Sequence, residues 1–373
     1  MVGCERGNKQ STDNFITVDV TASYPEKELI LQDFMEVEYV VLETTDEFIT
    51  QGVVKAIGKD IILVTNRIMD GDIFVFDRTG KGLRKINRFG QGPEEYSQIT
   101  EIILDEDNNE MFVVDYPVRK ILVYDLYGNF KRSFKFTDDT SYYIDTFNYD
   151  QDHLICYKSY LPTIETERSS HILISKHDGS ITREIQLPFK EIKTPVIIEE
   201  EVSVTPDFYL TVPNHNDWML MRTSSDTVYN YLPDGSLRPI IARIPSIHSM
   251  DPEVFLFPTV ITDRYYFMRT MKKEVDFTTF KGFPGTDLVY DKQENNLFKC
   301  TVYNDDFLNK QQVSLGQRVG SPVNQEIATC LSLNAPDLVE VYEKGQLKGK
   351  LKGIAAELDE ESNPVIMLVK HRK

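Results

Sequence analysis

The sequence predicts an all-β fold, a six-bladed β-propeller closed by N- and C-terminal strands, with a short helical insertion near the C-terminus. The main observation is a strand–turn–strand motif that occurs four times, with turn glycines at Gly80, Gly128, Gly179 and Gly235. In each copy, two alternating apolar strands flank a polar turn that contains the glycine, as in a β-hairpin. The copies lie roughly 50 residues apart, which is the length of a four-stranded propeller blade.

The remaining strands can be placed by the same alternation of apolar and polar residues. Two strands are predicted before the first blade, at residues 15–20 and 37–42. Five blades are then expected at about residues 53–86, 100–136, 142–186, 202–244 and 254–303. Turns rich in Asp, Asn and Gly separate the strands of the first two blades.

The C-terminal part completes the predicted ring. A helical excursion is expected at about residues 336–360, because Pro336 suits a first helical turn and apolar residues follow at helical spacing. Two glycines, Gly345 and Gly349, weaken or split this helix. An apolar strand at about residues 364–370 is expected to pair with the N-terminal strands and so remove open sheet edges. We therefore predict a polar tether at residues 1–14 and a single propeller domain at 15–373.

The amino-acid composition limits the classes of molecule that the protein is expected to bind. The chain has 59 acidic and 41 basic residues and a formal net charge of -18, which argues against nucleic acids and anionic lipid surfaces. Its four cysteines form no CxxC pair and no cluster with histidine at metal spacing, so neither a zinc site nor a cofactor is expected. Whether Cys300 and Cys330 form a disulfide is left open by the sequence.

The N-terminus predicts a lipid anchor. Val2 and Gly3 precede Cys4, and a polar stretch follows, as at the end of a bacterial lipoprotein signal. The apolar segment that should come before such a cysteine is absent, so it was trimmed or the start was placed too late. We predict lipidation at Cys4 and membrane attachment only through the lipid. The alternative is a cytoplasmic protein whose true start is Met1.

The sequence contains no recognisable catalytic or metal-binding motif. The histidines show none of the HxH, HxxxH or HExxH spacings, and no nucleophile elbow, P-loop or dinucleotide fingerprint is present. Distant loops meet at a propeller axis, which leaves His215 and His248 as candidates for a metal site. The acidic segment at residues 105–110 has some likeness to a calcium loop but is predicted as a hairpin turn.

The link after the first blade carries a family resemblance. Its segment GQGPEEY matches a GxGPxE(F/Y) pattern at Gly90, Gly92, Pro93, Glu95 and Tyr96. Together with the hairpin motif and the terminal strands, this resembles the six-bladed β-propeller lipoproteins of Bacteroidetes, which are similar to NHL-repeat propellers. The resemblance spans about residues 37–370. It implies the fold, export to the periplasm or to the outer membrane and cell surface, and lipidation, but no activity.

This link has two interpretations. In the structural one it is a corner between blades, with the turn made by Gly90, Gly92 and Pro93. In the functional one it is a recognition loop whose ligand-facing side chains are Arg88, Gln91, Glu95 and Tyr96.

The predicted function is that of a non-catalytic, lipid-anchored propeller of the cell envelope, acting as a ligand-binding or protein-interaction scaffold. An envelope protein, a glycan or a peptide is the expected partner, and the oligomeric state is left open. The alternative is a hydrolase or lyase that acts on saccharide or peptide at the axial funnel. Long aromatic loops in the third and fifth blades favour binding, because aromatic rings stack on sugars and clasp peptides.

Overall fold

The computed structural model describes residues 15–68, 70–161, 163–214, 217–279, 281–315 and 324–372. Cys4, the predicted tether and His215 therefore lie outside the described residues. The chain begins with two short strands, a helical turn and a longer strand: β1 (Ile16–Asp19), β2 (Glu26–Ile30), α1 (Leu31–Phe34) and β3 (Met35–Val41).

Blades 1 to 3 are four-stranded antiparallel sheets, each formed by consecutive strands. Blade 1 contains β4 (Val53–Ile57), β5 (Ile61–Thr65), β6 (Asp72–Asp77) and β7 (Gly82–Asn87). Blade 2 contains β8 (Glu101–Asp105), β9 (Glu110–Asp115), β10 (Lys120–Asp125) and β11 (Phe130–Lys135). Blade 3 contains β12 (Tyr142–Asn148), β13 (His153–Ser159), β14 (Ser170–Ser175) and β15 (Ile181–Ile185).

A two-stranded ribbon, β16 (Ile197–Glu199) and β17 (Val202–Val204), precedes blade 4. Blade 4 contains β18 (Thr211–Asn214), β19 (Asp217–Leu220), β20 (Thr227–Tyr231) and β21 (Leu237–Ile244). The predicted start of this blade near residue 202 was therefore wrong. Glu200 has a φ of 52°, and the chain reverses there to pair β17 with β16 instead.

Blade 5 follows a short 3-10 helix at Ile247–Ser249. It contains β22 (Val254–Ile261), β23 (Tyr265–Lys272), β26 (Gly285–Asp291) and β27 (Asn296–Tyr303). The long aromatic loop between β23 and β26 carries a second small ribbon, β24 (Val275–Asp276) and β25 (Lys281–Gly282).

Blade 6 confirms the predicted closure. It combines β28 (Ile327–Leu333) and β29 (Val365–His371) with the N-terminal β3, and β29 pairs with β28 on one side and with β3 on the other. The predicted helical insertion lies between β28 and β29 as α2 (Ala335–Glu343) and α3 (Gly349–Ala355). Gly345 and Gly349 have φ values of 66° and 60°, which explains why the helix is split.

The N-terminal strands also cover the outer edges of two further blades. β1 pairs in parallel with β21 of blade 4, and β2 pairs in parallel with β27 of blade 5. Within the described part of the chain, the outer strands β7, β11 and β15 of blades 1 to 3 gain no such neighbour. The N-terminal segment thus runs along blades 4, 5 and 6 in turn.

Neighbouring blades pack through apolar side chains and through the turn glycines. Gly80 and Gly128 have φ values of 91° and 86°, which confirms their predicted turn conformation. A Cβ atom on Gly80 would lie 1.9 Å from the carbonyl oxygen of Val41 in blade 6. The glycine is therefore needed both for the turn and for the close approach of two blades.

We call the side of the ring that carries the turns between first and second strands, such as residues 58–60 and 106–109, the cavity face. The opposite side, with the links between blades such as residues 88–100, is the loop face. None of the helices described is long and apolar enough to cross a bilayer. Cys156, Cys300 and Cys330 are buried, and none of these three described cysteines forms a disulfide, so Cys300 and Cys330 are not joined.

Candidate functional site

A cavity of about 410 Å³ lies among the inner strands and opens towards the cavity face. Five blades contribute to its wall, through residues 55–59, 100–107, 145–148, 324–326 and the side chains of Tyr209, Pro213 and Trp218. Inner strands of successive blades approach one another around the axis, so residues far apart in sequence meet there. This cavity is the candidate binding site.

One wall of the cavity is aromatic. The ring centroid of Phe147 lies 5.6 Å from that of Trp218 and 6.2 Å from that of Tyr209. Trp218 is 4% exposed, whereas Phe147 and Tyr209 are half-buried. Phe147 and Tyr209 therefore keep ring surface that a ligand in the cavity can contact, and Trp218 supports them from behind.

Charged side chains form another part of the wall. Two lysines, Lys55 and Lys59, face six carboxylates, which belong to Glu101, Asp105, Glu106, Asp107, Asp145 and Glu326. This acidic excess gives the cavity a negative field, and the net charge of the whole chain has the same sign.

Each of these carboxylates already has a donor in the protein. Asp145 accepts hydrogen bonds from the backbone N–H groups of Leu210 (2.6 Å) and Thr211 (3.3 Å), which ties blade 3 to blade 4. Glu101 accepts from the N–H of Thr146 at 3.2 Å and from the hydroxyl of Tyr116 at 3.3 Å.

The carboxylates at the cavity mouth are engaged in the same way. Glu106 caps the turn of blade 1 by accepting from backbone N–H groups that include that of Ile61, at 3.0 Å. Asp105 and Asp107 form ion pairs with Lys176 and Lys59, respectively, and Glu326 pairs with Lys370 at 3.3 Å. The acidic segment at residues 105–110 thus forms the predicted hairpin turn, and its first three residues line the cavity.

Two hydroxyl groups differ from the carboxylates. Thr100 and Thr146 line the cavity, and each buried Oγ1 has no hydrogen-bond partner among the described residues. Thr146 is only 7% exposed. A buried hydroxyl without a partner is costly, so a hydrogen bond to a molecule in the cavity would stabilise either group.

The predicted recognition loop lies elsewhere, on the loop face between blades 1 and 2. Tyr96 is completely buried, and its hydroxyl donates to the carbonyl of Gly71 (2.6 Å) and accepts from the N–H of Arg88 (2.9 Å). Burial raises the pKa of Tyr96 to about 12. The Nε of Arg88 donates to the carbonyl of Gly128 in blade 2 at 2.8 Å.

The rest of this loop is held by its own contacts. Glu95 accepts from the N–H of Gly92 at 2.8 Å, and a Cβ on Gly90 would collide with the Glu95 carboxylate. Arg88, Gln91, Pro93 and Glu95 are exposed. The structure thus places Arg88, Glu95 and Tyr96 in a hydrogen-bonded corner away from the cavity, and a ligand role for this set stays a prediction.

The histidine candidates are not joined into a site by the described residues. His248 is half-buried on the loop face, where its Nδ1 lacks a partner in the described part of the chain. His215 lies outside the described residues. No group of three or more His, Cys, Asp or Glu side chains that could hold a metal ion occurs among the residues that the structure describes.

The sequence contained one unused signal for the cavity. Lys55, Glu101 and Asp145 are charged residues in the first strands of three successive blades. Charges in strands that face the axis indicate a polar lumen. The aromatic residues gave no such signal, because Phe147, Tyr209 and Trp218 resemble ordinary core residues.

The ring, its axial cavity and its closing blade define a six-bladed propeller with one candidate binding site at the axis. A protein-family profile described as DUF5128, 6-bladed beta-propeller, matches residues 6–318. The chain belongs to this family. Among curated proteins, no sequence match was found.

Several solved structures are similar in fold. A protein of Bacteroides fragilis NCTC 9343 that is assigned as exported has 14% identity and a TM-score of 0.58, over 97% of this chain and 100% of its own. A DUF4221 member from Bacteroides vulgatus ATCC 8482 has 9% identity and a TM-score of 0.48, over 91% and 100% of the two chains. Virginiamycin B lyase of Staphylococcus aureus has 12% identity and a TM-score of 0.37, over 68% and 73%. At 14% identity, the likeness to the Bacteroides fragilis protein shows the fold alone.

Proposed function

We propose that this protein is a ligand-binding propeller of the cell envelope, which holds a small polar molecule in its axial cavity. The observation that carries the proposal is the pairing of half-buried aromatic rings with the buried, unpartnered hydroxyl of Thr146 in one cavity. Small-molecule sites combine apolar walls with a few convergent polar groups, and their volumes run from about 300 to 1,000 Å³. The cavity has this composition and size.

We propose binding rather than catalysis. A general acid or base needs a carboxyl group that can exchange its proton with the substrate. The cavity carboxylates instead hold turns, blades and lysines together, as the contacts of Asp145 and Glu106 illustrate. The hydrolase or lyase alternative predicts that a bound saccharide or peptide is cleaved, so product analysis after prolonged incubation with the protein tests it. We expect the compound to be returned intact.

The envelope location rests on the resemblance to Bacteroidetes lipoproteins and on the lipobox-like residues before Cys4. The similar structure from Bacteroides fragilis, assigned as exported, agrees with it. Replacing Cys4 with Ala in the full-length precursor should release the protein from the membrane fraction. Unchanged fractionation of the Cys4→Ala variant would contradict lipid anchoring without touching the cavity proposal.

A thermal-unfolding screen tests the binding proposal. A ligand present at about 100 times its dissociation constant stabilises a protein by about 2.7 kcal/mol. We expect at least one class among amino acids and dipeptides, amines, nucleosides and saccharides to raise the melting temperature. The shift should shrink in Thr146→Val, which removes a cavity hydroxyl.

The matched control is Thr65→Val. Thr65 is equally buried, its Oγ1 also lacks a partner among the described residues, and it lies outside the cavity wall. Both variants should melt at or above the parental temperature without ligand, because neither loses a hydrogen bond and each loses a buried, unpartnered hydroxyl. An equal effect of both variants on the ligand shift, or no shift with any class, would contradict an axial binding site.

A further inference from the structure

We infer that the axial cavity takes a neutral saccharide of one or two rings. This inference rests on the proposed function and names the class of ligand for the same cavity. It follows from the aromatic wall, the mixture of hydrogen-bonding groups and the charge of the cavity.

The aromatic wall suits a sugar ring. Phe147 and Tyr209 belong to adjacent blades and lie with their centroids 6.2 Å apart, tilted by 49°. Together they form a shallow apolar corner that Trp218 backs at 5.6 Å from Phe147. The C–H face of a pyranose ring is apolar and packs on such rings, whereas its hydroxyl groups point outwards to polar partners.

The polar residues of the wall offer both hydrogen-bonding roles within one cavity. Lys55 is a donor whose ammonium already contacts the carbonyl of Thr100 at 3.0 Å. Asp145 and Glu101 are acceptors, and the hydroxyl groups of Thr100 and Thr146 both donate and accept. A ligand covered with hydroxyl groups, each of them a donor and an acceptor, matches this mixture.

The charges disfavour anionic ligands. The six carboxylates face four lysines, which are Lys55 and Lys59 in the wall and Lys176 and Lys370 paired with Asp105 and Glu326. The remaining excess of two carboxylates disfavours a uronic acid, a sulfated sugar or a phosphate. A cation would have to compete with the lysines that already pair with Asp105 and Asp107. Asp145 and Glu106 are held by backbone N–H groups. A neutral, hydroxylated molecule satisfies the remaining groups without displacing these contacts.

The cavity also limits the size of the saccharide. Its volume of about 410 Å³ lies near the lower end of the range for small-molecule sites. We therefore expect one or two sugar rings to be enclosed, and further rings of a longer chain to extend past the turn at residues 106–109.

Tryptophan fluorescence gives a readout that is specific for this cavity. Trp218 is the one tryptophan of the chain and belongs to the cavity wall. The full chain is titrated with glucose, galactose, mannose, N-acetylglucosamine, cellobiose, maltose, lactose and chitobiose. Glucuronic and galacturonic acid, spermidine and a set of dipeptides are titrated in parallel.

We expect a saturable change in emission with at least one neutral saccharide. Its dissociation constant should rise about ten-fold in Thr146→Val, which is the size of effect expected for one lost hydrogen bond, and stay unchanged in Thr65→Val. The double variant Thr100→Val/Thr146→Val should bind more weakly still. The corresponding uronic acid should bind at least about ten-fold more weakly than its neutral counterpart, because of the excess of carboxylates.

The failures of the two proposals are distinguishable. Spermidine or the dipeptides could change Trp218 emission, with a weaker change in Thr146→Val, while no neutral saccharide changes it. That result would overturn the saccharide inference but would support the axial site. A uronic acid that binds as tightly as the neutral sugar would also overturn it. No change in Trp218 emission with any of the probes would overturn both the inference and the proposed function.

Discussion

Blades 1 to 3 and blades 4 to 6 of this propeller are stabilised at their outer edges in different ways. Each of blades 4, 5 and 6 receives a strand from the N-terminal segment: β1, β2 and β3, respectively. Blades 1 to 3 end in β7, β11 and β15 and gain no added strand within the described residues. In blades 1 to 3, side-chain contacts between neighbouring blades take the place of a covering strand.

In each of these three blades, an arginine four residues after the turn glycine connects the outer strand to the next blade. Arg84 and Arg132 donate through Nε to the carbonyls of Leu126 (2.8 Å) and Lys176 (3.0 Å) in the next blade. Arg183 donates to the hydroxyl of Tyr231 at 2.8 Å in the same manner. In the fourth copy of the motif the position is occupied by Pro239, and there β1 covers the edge instead. The first half of the ring is therefore cross-linked by side chains and the second by backbone strands.

The largest effect should come from removing the strand that joins the two ends of the chain. Residues Val365 to Val369 of β29 are completely buried between β28 and β3. A chain that lacks residues 365–373 leaves two strands of blade 6 without their central partner and should lose cooperative unfolding. Calorimetry and circular dichroism measure this, and a deletion variant that melts like the parent would refute closure by β29.

Removing β1 alone should cost less. A chain that begins at residue 22 loses Ile16 and Val18, which are 5% and 0% exposed, and leaves the edge of blade 4 open. Burial of such side chains contributes about 1.5–3 kcal/mol each, so we expect a loss of about 3–6 kcal/mol in urea unfolding. A chain that begins at Phe15 is the control. Equal stability of the two chains would show that β1 does not stabilise blade 4.

The arginine cross-links should differ among themselves. Arg132 also donates to both carboxylate oxygens of Glu110, at 2.7 and 2.6 Å. Burial alone would raise the pKa of Glu110, but its hydrogen bonds with Arg132 and Lys131 outweigh burial and lower it. We expect Arg132→Ala to cost about 2–3 kcal/mol, because charge-assisted hydrogen bonds are lost.

Arg84→Ala is the matched comparison. Arg84 makes the same carbonyl contact and also lies over the ring of Tyr127, but has no ion pair among those that the structure records for the described residues. Its loss should cost about 1 kcal/mol in the same unfolding experiment. Costs of equal size for both variants would show that Glu110 adds nothing to the cross-link.

The smallest effect concerns the junction of the two halves. His171 of blade 3 is buried, and its Nε2 lies 2.9 Å from the carbonyl of Leu210, just before blade 4. Burial lowers the pKa of His171 from 6.5 to about 4. Between pH 6.5 and about 4, the unfolded chain binds a proton on this imidazole and the folded chain does not. The contribution of His171 to the free energy of unfolding is therefore fully present above pH 6.5 and falls as the pH drops towards 4.

Between pH 7 and pH 6 this amounts to a loss of about 0.7 kcal/mol. His171→Gln keeps a donor for Leu210 and should remove this part of the pH dependence, which urea unfolding at the two pH values measures. A variant with the parental pH dependence would assign it to another group.

The blades could be predicted because their signals are local. Alternating strands and a glycine at each turn fix a hairpin within about ten residues, and four repeats fix the ring. The parallel pairing of β1 and β2 could not be predicted, since it joins segments more than 200 residues apart and leaves no turn in the sequence. The start of blade 4 was misplaced because residues 202–204 alternate like any other strand.

The candidate site was predicted only in outline. An axial funnel follows from the fold, and the charges of Lys55, Glu101 and Asp145 were visible in the sequence. The hydroxyl of Thr146 could not be recognised in the sequence as part of the site. It matters because its oxygen has no hydrogen-bond partner among the described residues, and only tertiary packing determines which partners a side chain has. In the loop at residues 87–99, Tyr96 is buried in a corner between blades, whereas Arg88, Gln91 and Glu95 are exposed, and a ligand role for this set stays a prediction.

A crystal structure of the protein with the neutral saccharide that most strongly changes Trp218 emission tests the central claim directly. The account predicts one or two sugar rings between Phe147 and Tyr209, with a sugar hydroxyl in hydrogen-bonding distance of the Thr146 Oγ1. A saccharide bound at residues 88–96 on the loop face, with the axial cavity free of it, would contradict the account.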